Sequence, residues 1–162
     1  MSAEDSLRRY KLGEAVAALG VILSLLFVGV QIRQTATVAG AQAAQDLAAM
    51  SQDFLLAVGG DPETYRVFQL TWFTAEPVTP LEENRAVYLM IAFVRRAEAA
   101  FAQVQRGLLD ENALDAYGTP QIIGLFVNPR FVNFWSRSRQ TFNPAFVAFV
   151  ESRSGYQPAT GS

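Results

Sequence analysis

Residues Ala15 to Ile32 read AVAALGVILSLLFVGVQI, a run with no charged side chain. At about 1.5 Å per residue a helix of this length covers about 27 Å, close to the ~30 Å hydrocarbon core of a bilayer. Arg8, Arg9 and Lys11 precede the run, with Tyr10 among them as an interfacial aromatic, and Arg33 closes it where its stem can reach the headgroups. Three structures fit such a run: an uncleaved single-pass anchor, the apolar core of a signal peptide, and the buried helix of a soluble domain. A cleaved signal needs small residues directly after the apolar run. Here Gln31-Ile32-Arg33-Gln34 intervenes, and Ala39-Gly40-Ala41 comes late. Length and flanks favour the anchor. The fold predicted is therefore all-α: a flank over 1–12, a transmembrane helix over 13–33, a small multi-helix bundle over 34–155 and a disordered tail over 156–162.

Within the span, Ala17, Gly20 and Ser24 are spaced three and four apart, which puts three small side chains on one helix face. Such a face lets helix backbones approach closely in lipid, where packing drives association. Chance is the alternative, because Ala and Gly are common in membrane helices. Three basic residues stand before the span, against Arg33 alone between it and Arg66. By the positive-inside rule this predicts a cytoplasmic N-terminus and a domain on the outer side of the membrane.

Downstream, residues 34–58 contain no Pro and one Gly, and are rich in Ala and Gln, both good helix formers. Val38, Leu47, Met50, Phe54, Leu55 and Val58 form an apolar stripe, so one long helix is predicted to leave the membrane and end at Gly59-Gly60. Four later boundaries share one device, a capping residue followed by Pro at the first helical position. Asp61-Pro62 opens a helix to about Ala75. Thr79-Pro80-Leu81-Glu82 is a capping box and opens one to about Arg106. Asn128-Pro129 and Asn143-Pro144 open two short helices, with Val127/Val132 and Phe142/Val147 at hydrophobic-staple spacing. Asp110 should cap a further helix, divided at Gly118-Thr119-Pro120. Val87, Met90, Val94, Ala97, Phe101, Val104 and Leu108 make a continuous seam, and 86–94 is apolar all round. No run alternates with period two long enough to be a strand.

Composition narrows the chemistry. The 162 residues are 51% hydrophobic and 17% charged, with no His and no Cys. That removes disulfides, His/Cys zinc sites, His proton shuttles and Ser-His or Cys-His catalysis. The single lysine, Lys11, sits at the membrane edge. A net charge of −2 argues against a nucleic-acid partner. Asp110, Glu111 and Asp115 match no calcium-loop spacing and read as charges in a first helical turn. No catalytic residue, cofactor or metal site is expected.

Two groups of side chains remain as candidates. Arg95 and Glu98 stand three apart beside the seam, either as a surface pair or as a polar lock between helices. Arg130 and Arg137 share a helix face with Phe134 between them and Trp135 adjacent, a candidate partner or anion patch. Seven aromatics crowd residues 126–149: Phe126, Phe131, Phe134, Trp135, Phe142, Phe146 and Phe149. They serve either as core or, in part, as an exposed partner surface.

The run Ser24 to Thr35, SLLFVGVQIRQT, resembles the anchor and exit of a widespread uncharacterised family of short single-anchor bacterial helical proteins, in which the span runs into Q-I-R-Q-N-T. The likeness continues at Glu98, in Arg106-Gly107-Leu108-Leu109-Asp110-Glu111, at Pro129 and Trp135, and in Phe142-Asn143-Pro144-Ala145-Phe146. The Asn usual after Gln34 is absent, and Thr119-Pro120 is an unusual interruption. The resemblance implies a membrane-anchored helical domain and no known activity. In that family the charge often favours a cytoplasmic domain, against the direct count. The function expected is a non-enzymatic interaction or scaffold protein of the bacterial inner membrane, an accessory subunit whose partners are the bilayer and another membrane protein or itself. The alternative is a small-molecule or lipid sensor, with an apolar interhelical cavity gated by Arg95 or Arg130.

Overall fold

The computed structural model describes residues 3–74 and 76–158; within the first helix, side chains are described for Glu14 and from Leu19 onward. Among the described residues the chain is all-helical, with seven α-helices and no strand: α1 (Ala3–Gly59), α2 (Pro62–Phe73), α3 (Pro80–Gln105), α4 (Asn112–Ala116), α5 (Thr119–Gly124), α6 (Pro129–Ser138) and α7 (Pro144–Ser154). Single 3₁₀ turns, Leu125–Val127 and Arg139–Thr141, lead into the caps of α6 and α7. Two compact units are present, Met1–Ala41 and Gln42–Ser162. The expected boundary stood at 34.

The caps explain where each helix begins. The Asp61 carboxylate accepts the Thr64 N–H ahead of Pro62, and Thr79 forms the complete reciprocal box with Glu82 ahead of Pro80. Asn128 accepts from the Arg130 N–H, and Asn143 from those of Ala145 and Phe146. Asp110 departs slightly from expectation: its side chain accepts the Asn112 N–H, so the carboxylate turns the chain just before α4 instead of capping it. Gly60 ends α1 because its N–H bonds the Leu56 carbonyl, and a Cβ there would stand 2.4 Å from that oxygen. Gly118 divides α4 from α5 at φ +102°, in the left-handed region.

In the second unit α3 is the central element, packed by α2, α4 and α7, while α6 closes on α2. The α3 seam behaves as its spacing implies: Met90, Val94, Ala97 and Phe101 are buried. The all-apolar stretch is covered by neighbours, except that Tyr88 and Ala92 are exposed. On α1, Leu47 and Val58 are buried and Phe54 is partly buried against the core, whereas Val38, Met50 and Leu55 face outward.

The aromatic half forms one cluster. Trp135 lies at the centre, stacked on Phe142 at 5.7 Å and edge-on to Phe126 at 5.5 Å. Trp72 brings α2 edge-on to Phe134 at 5.4 Å. Phe131, Phe134, Trp135, Phe142 and Phe146 are buried, and Phe126 and Phe149 are half-buried. Of the two alternatives the aromatics take the first: they are core, and none of the seven is exposed. Past Gly155, Tyr156 rests on Phe126 at 5.3 Å; residues 159–162 lie outside the described residues.

Candidate functional site

The N-terminal helix is the first candidate. By length and composition it is able to cross a bilayer. Every large apolar side chain from Leu19 to Ile32 is about half exposed or more. Gly20 and Ser24 are exposed, the Ser24 hydroxyl donates to the Gly20 carbonyl at 2.9 Å, and a Cβ on Gly20 would meet nothing within 4 Å. The Ala17 side chain lies outside the described residues.

Arg95 and Glu98 prove to be a lock between elements. Arg95 Nη1 donates to Glu98 Oε2 at 2.6 Å, and its Nη2 donates to the Thr141 carbonyl at 2.7 Å. The guanidinium lies 4.7 Å from the centre of the Phe142 ring. Glu98 Oε1 accepts the backbone N–H of Asn143, the N-cap of α7. One carboxylate on α3 thus holds both an arginine and the start of α7.

Arg130, Phe134, Trp135 and Arg137 do not come together as a surface patch. Phe134 and Trp135 are buried, because α6 presents its strongly apolar face to Trp72 and α7. Arg130 donates Nη1 to the Leu70 carbonyl at 3.3 Å and Nη2 to the Glu76 carbonyl at 2.6 Å, while Asn128 donates to the Trp72 carbonyl at 2.7 Å. The start of α6 therefore caps the open end of α2. Arg137 alone of the four is free on the surface.

Two open clefts flank these arginines. One, about 690 Å³, lies between the end of α2, α5 and the start of α6, with Trp72, Leu125 and Pro129 on its walls, Phe73 and Val127 at its lips, and Arg130 at its edge. The other, about 630 Å³, runs along α3 between Met50 of α1 and Ala145 of α7, with Arg95, Glu98 and Arg106 on its lining. Both exceed the few hundred Å³ that small ligands need. Both are open surface clefts; the sensor alternative called for an apolar cavity between helices gated by Arg95 or Arg130. Val127 was expected to staple α6 and is instead 91% exposed.

Several polar groups escaped sequence reasoning. Glu151 accepts two bonds from Arg139, at 2.6 and 2.8 Å, and one from the Trp135 indole at 2.9 Å, tying α6 to α7. At the first hairpin, formed by α2 and α3, Arg66 bridges Glu63 and Glu82, and Arg85 reaches Asp61 and Thr64. The Thr79 N–H and the Arg66 guanidinium draw the Glu82 carboxyl down to about 2. Arg96 is half-buried over the Phe54 and Phe93 rings, 5.3 and 4.9 Å from their centres, and burial lowers its pKa. Apart from Glu63 with Arg66 and Phe93 with Arg96, which stand three apart on one helix, these partners come from different elements, so no local pattern announces them. Among the described residues no three Asp or Glu converge as a metal cage. No protein-family model, curated protein or solved structure matches the chain.

Proposed function

We propose that the chain is a non-enzymatic, single-pass membrane protein whose helical domain binds or scaffolds another protein, as an accessory subunit of a membrane complex. The observation that carries this reading is the bare apolar surface of α1: from Leu19 to Ile32 no side chain is buried within the chain. In water so large a contiguous apolar surface is costly, and lipid or a partner helix removes the cost. The same reading places the protein in a bacterial inner membrane, with Arg8, Arg9 and Lys11 on the cytoplasmic side and the domain outside. The resemblance of the QIRQ-T exit and the RGLLDE motif to single-anchor proteins supports the anchor, while the charge count alone supports the side given to the domain.

The test is extraction of the protein from native membranes in mild detergent, followed by size analysis and identification of what travels with it. A stoichiometric companion is expected. Migration as a lone chain in a detergent micelle would end the subunit reading.

A second reading, a small-molecule or lipid sensor, is favoured by one observation: an apolar cleft of ligand size has Arg130 at its edge.

A further inference from the structure

We propose that the cleft between the end of α2, α5 and the start of α6 binds a single-chain anionic amphiphile, an apolar body carrying one carboxylate. The inference rests on the sensor reading and names its ligand class.

The apolar part of the argument is geometric. The cleft holds about 690 Å³ and has Trp72, Leu125 and Pro129 in its lining. Its lips are Phe73 and Val127, which are 55% and 91% exposed. Apolar surface of this kind gains free energy when it is taken out of water. A flexible apolar chain laid between them would cover both at once.

The polar part is an inventory of unspent hydrogen bonds. The Asn128 amide donates to the Trp72 carbonyl and accepts from the Arg130 N–H, and the Thr74 hydroxyl donates to the Leu70 carbonyl and accepts from the Glu76 N–H. Arg130 uses Nη1 and Nη2 on the Leu70 and Glu76 carbonyls, and among the described residues its Nε–H has no acceptor. Gln121, also on the lining, makes no side-chain hydrogen bond among the described residues. Because two carbonyls already hold the guanidinium, its free edge is fixed before a ligand arrives, which lowers the entropy lost on binding.

Charge decides between an anion and a cation. Past Arg33 the chain carries twelve carboxylates against nine arginines, yet the ten residues lining this cleft include Arg130 and no Asp or Glu. In the cleft along α3, by contrast, Glu98 neutralises Arg95. A carboxylate head fits the first cleft, and an ammonium head does not.

The chain has two tryptophans, both buried in the core, of which Trp72 also backs the wall of this cleft and Trp135 does not line it, so one label reports both. The full-length protein, labelled with 5-fluorotryptophan and held in nanodiscs of zwitterionic lipid, is titrated with octanoate and with octylamine and followed by ¹⁹F NMR. Trp72→Phe assigns the two resonances. Octanoate should shift Trp72 saturably and leave Trp135 in place. Octylamine should bind at least about tenfold more weakly, the weight of one charge-assisted hydrogen bond. Val127→Glu, at an exposed position that leaves the fold alone, should abolish the shift. Equal shifts from octylamine would overturn the anionic assignment while keeping an apolar ligand site. Silence of Trp72 toward both probes would remove the sensor reading as well. An unchanged response in Val127→Glu would place binding elsewhere and overturn the proposal. So would a Trp72 shift produced by anionic phospholipid in the disc alone, which would assign the cleft to bilayer lipid.

Discussion

Replacing Glu98 with Ala should destabilise the helical unit by about 2 kcal/mol, although the residue sits beside an ordinary-looking helix surface. Two losses make up the figure. The bond from the Asn143 N–H to Oε1 is charge-assisted, and such bonds contribute about 1.5–3 kcal/mol. Water can reach Asn143 once the carboxylate is gone, which puts the loss at the lower end. The ion pair with Arg95 adds about 0.5 kcal/mol, because the arginine side chain is 44% exposed. Arg95→Ala should cost about 1 kcal/mol, from its bond to the Thr141 carbonyl and its contact with the Phe142 ring. Glu98→Gln keeps an acceptor for Asn143 and should cost about half of what Ala does. The double variant should fall short of the sum by about 0.5 kcal/mol, since the two residues share a bond. The assay is urea and thermal unfolding of the full chain in zwitterionic micelles, followed by the fluorescence of Trp72 and Trp135. For a unit of this size 2 kcal/mol corresponds to a fall in Tm of roughly 6–10 °C. A loss below about 0.5 kcal/mol for Glu98→Ala, or strict additivity in the double variant, would refute a lock between α3 and the start of α7.

Acid should weaken the first hairpin. The folded Glu82 carboxyl lies at about 2, below its ordinary 4.5, so its contribution is complete above 4.5 and is lost as the pH falls from there toward 2. Glu82→Gln should flatten the pH dependence of the urea midpoint in that window. Gly118→Ala should cost about 1–3 kcal/mol, read as a fall in Tm, because φ is +102° and the new Cβ would stand 3.1 Å from the Phe93 ring. Phe131→Ala should cost about 3–5 kcal/mol, because the ring is fully buried among Trp72, Phe126, Phe134 and Trp135; Val127→Ala on the exposed lip should stay within about 0.5 kcal/mol. Gly20→Leu with Ser24→Leu should leave unfolding of the domain unchanged and strip away companions in the detergent extract, since a Cβ at Gly20 touches nothing within the chain.

Helix starts were legible because they are local. Asp61, Thr79, Asn128 and Asn143 each satisfy backbone N–H groups two or three residues on, and Pro follows each of them. The α3 seam was legible for the same reason, since a repeat of three and four fixes one face of one helix. Val127 shows where this stops. Its spacing to Val132 suits a staple, but the 3₁₀ turn before Asn128 leaves it outside, and spacing does not encode the path by which a chain enters a helix. Arg130 fails in the same way. It is an arginine on a helix face in the sequence, and in the fold its guanidinium reaches carbonyls of Leu70 and Glu76, contributed from far along the chain.

From its sequence the protein is all-helical, carries an uncharged apolar run long enough to cross a bilayer, and lacks the side chains of His- and Cys-based chemistry. Those properties depend on residue type and near-neighbour spacing alone. Which arginines are free, which aromatics are covered, and where two ligand-sized clefts open are properties of packing. Each depends on elements distant in sequence meeting in space: α2 against α6, Glu98 against Asn143, and Glu151 against Arg139 and Trp135. A hydrogen bond or a buried ring is set by distance and angle, and in a bundle of short helices those come only from the assembled core.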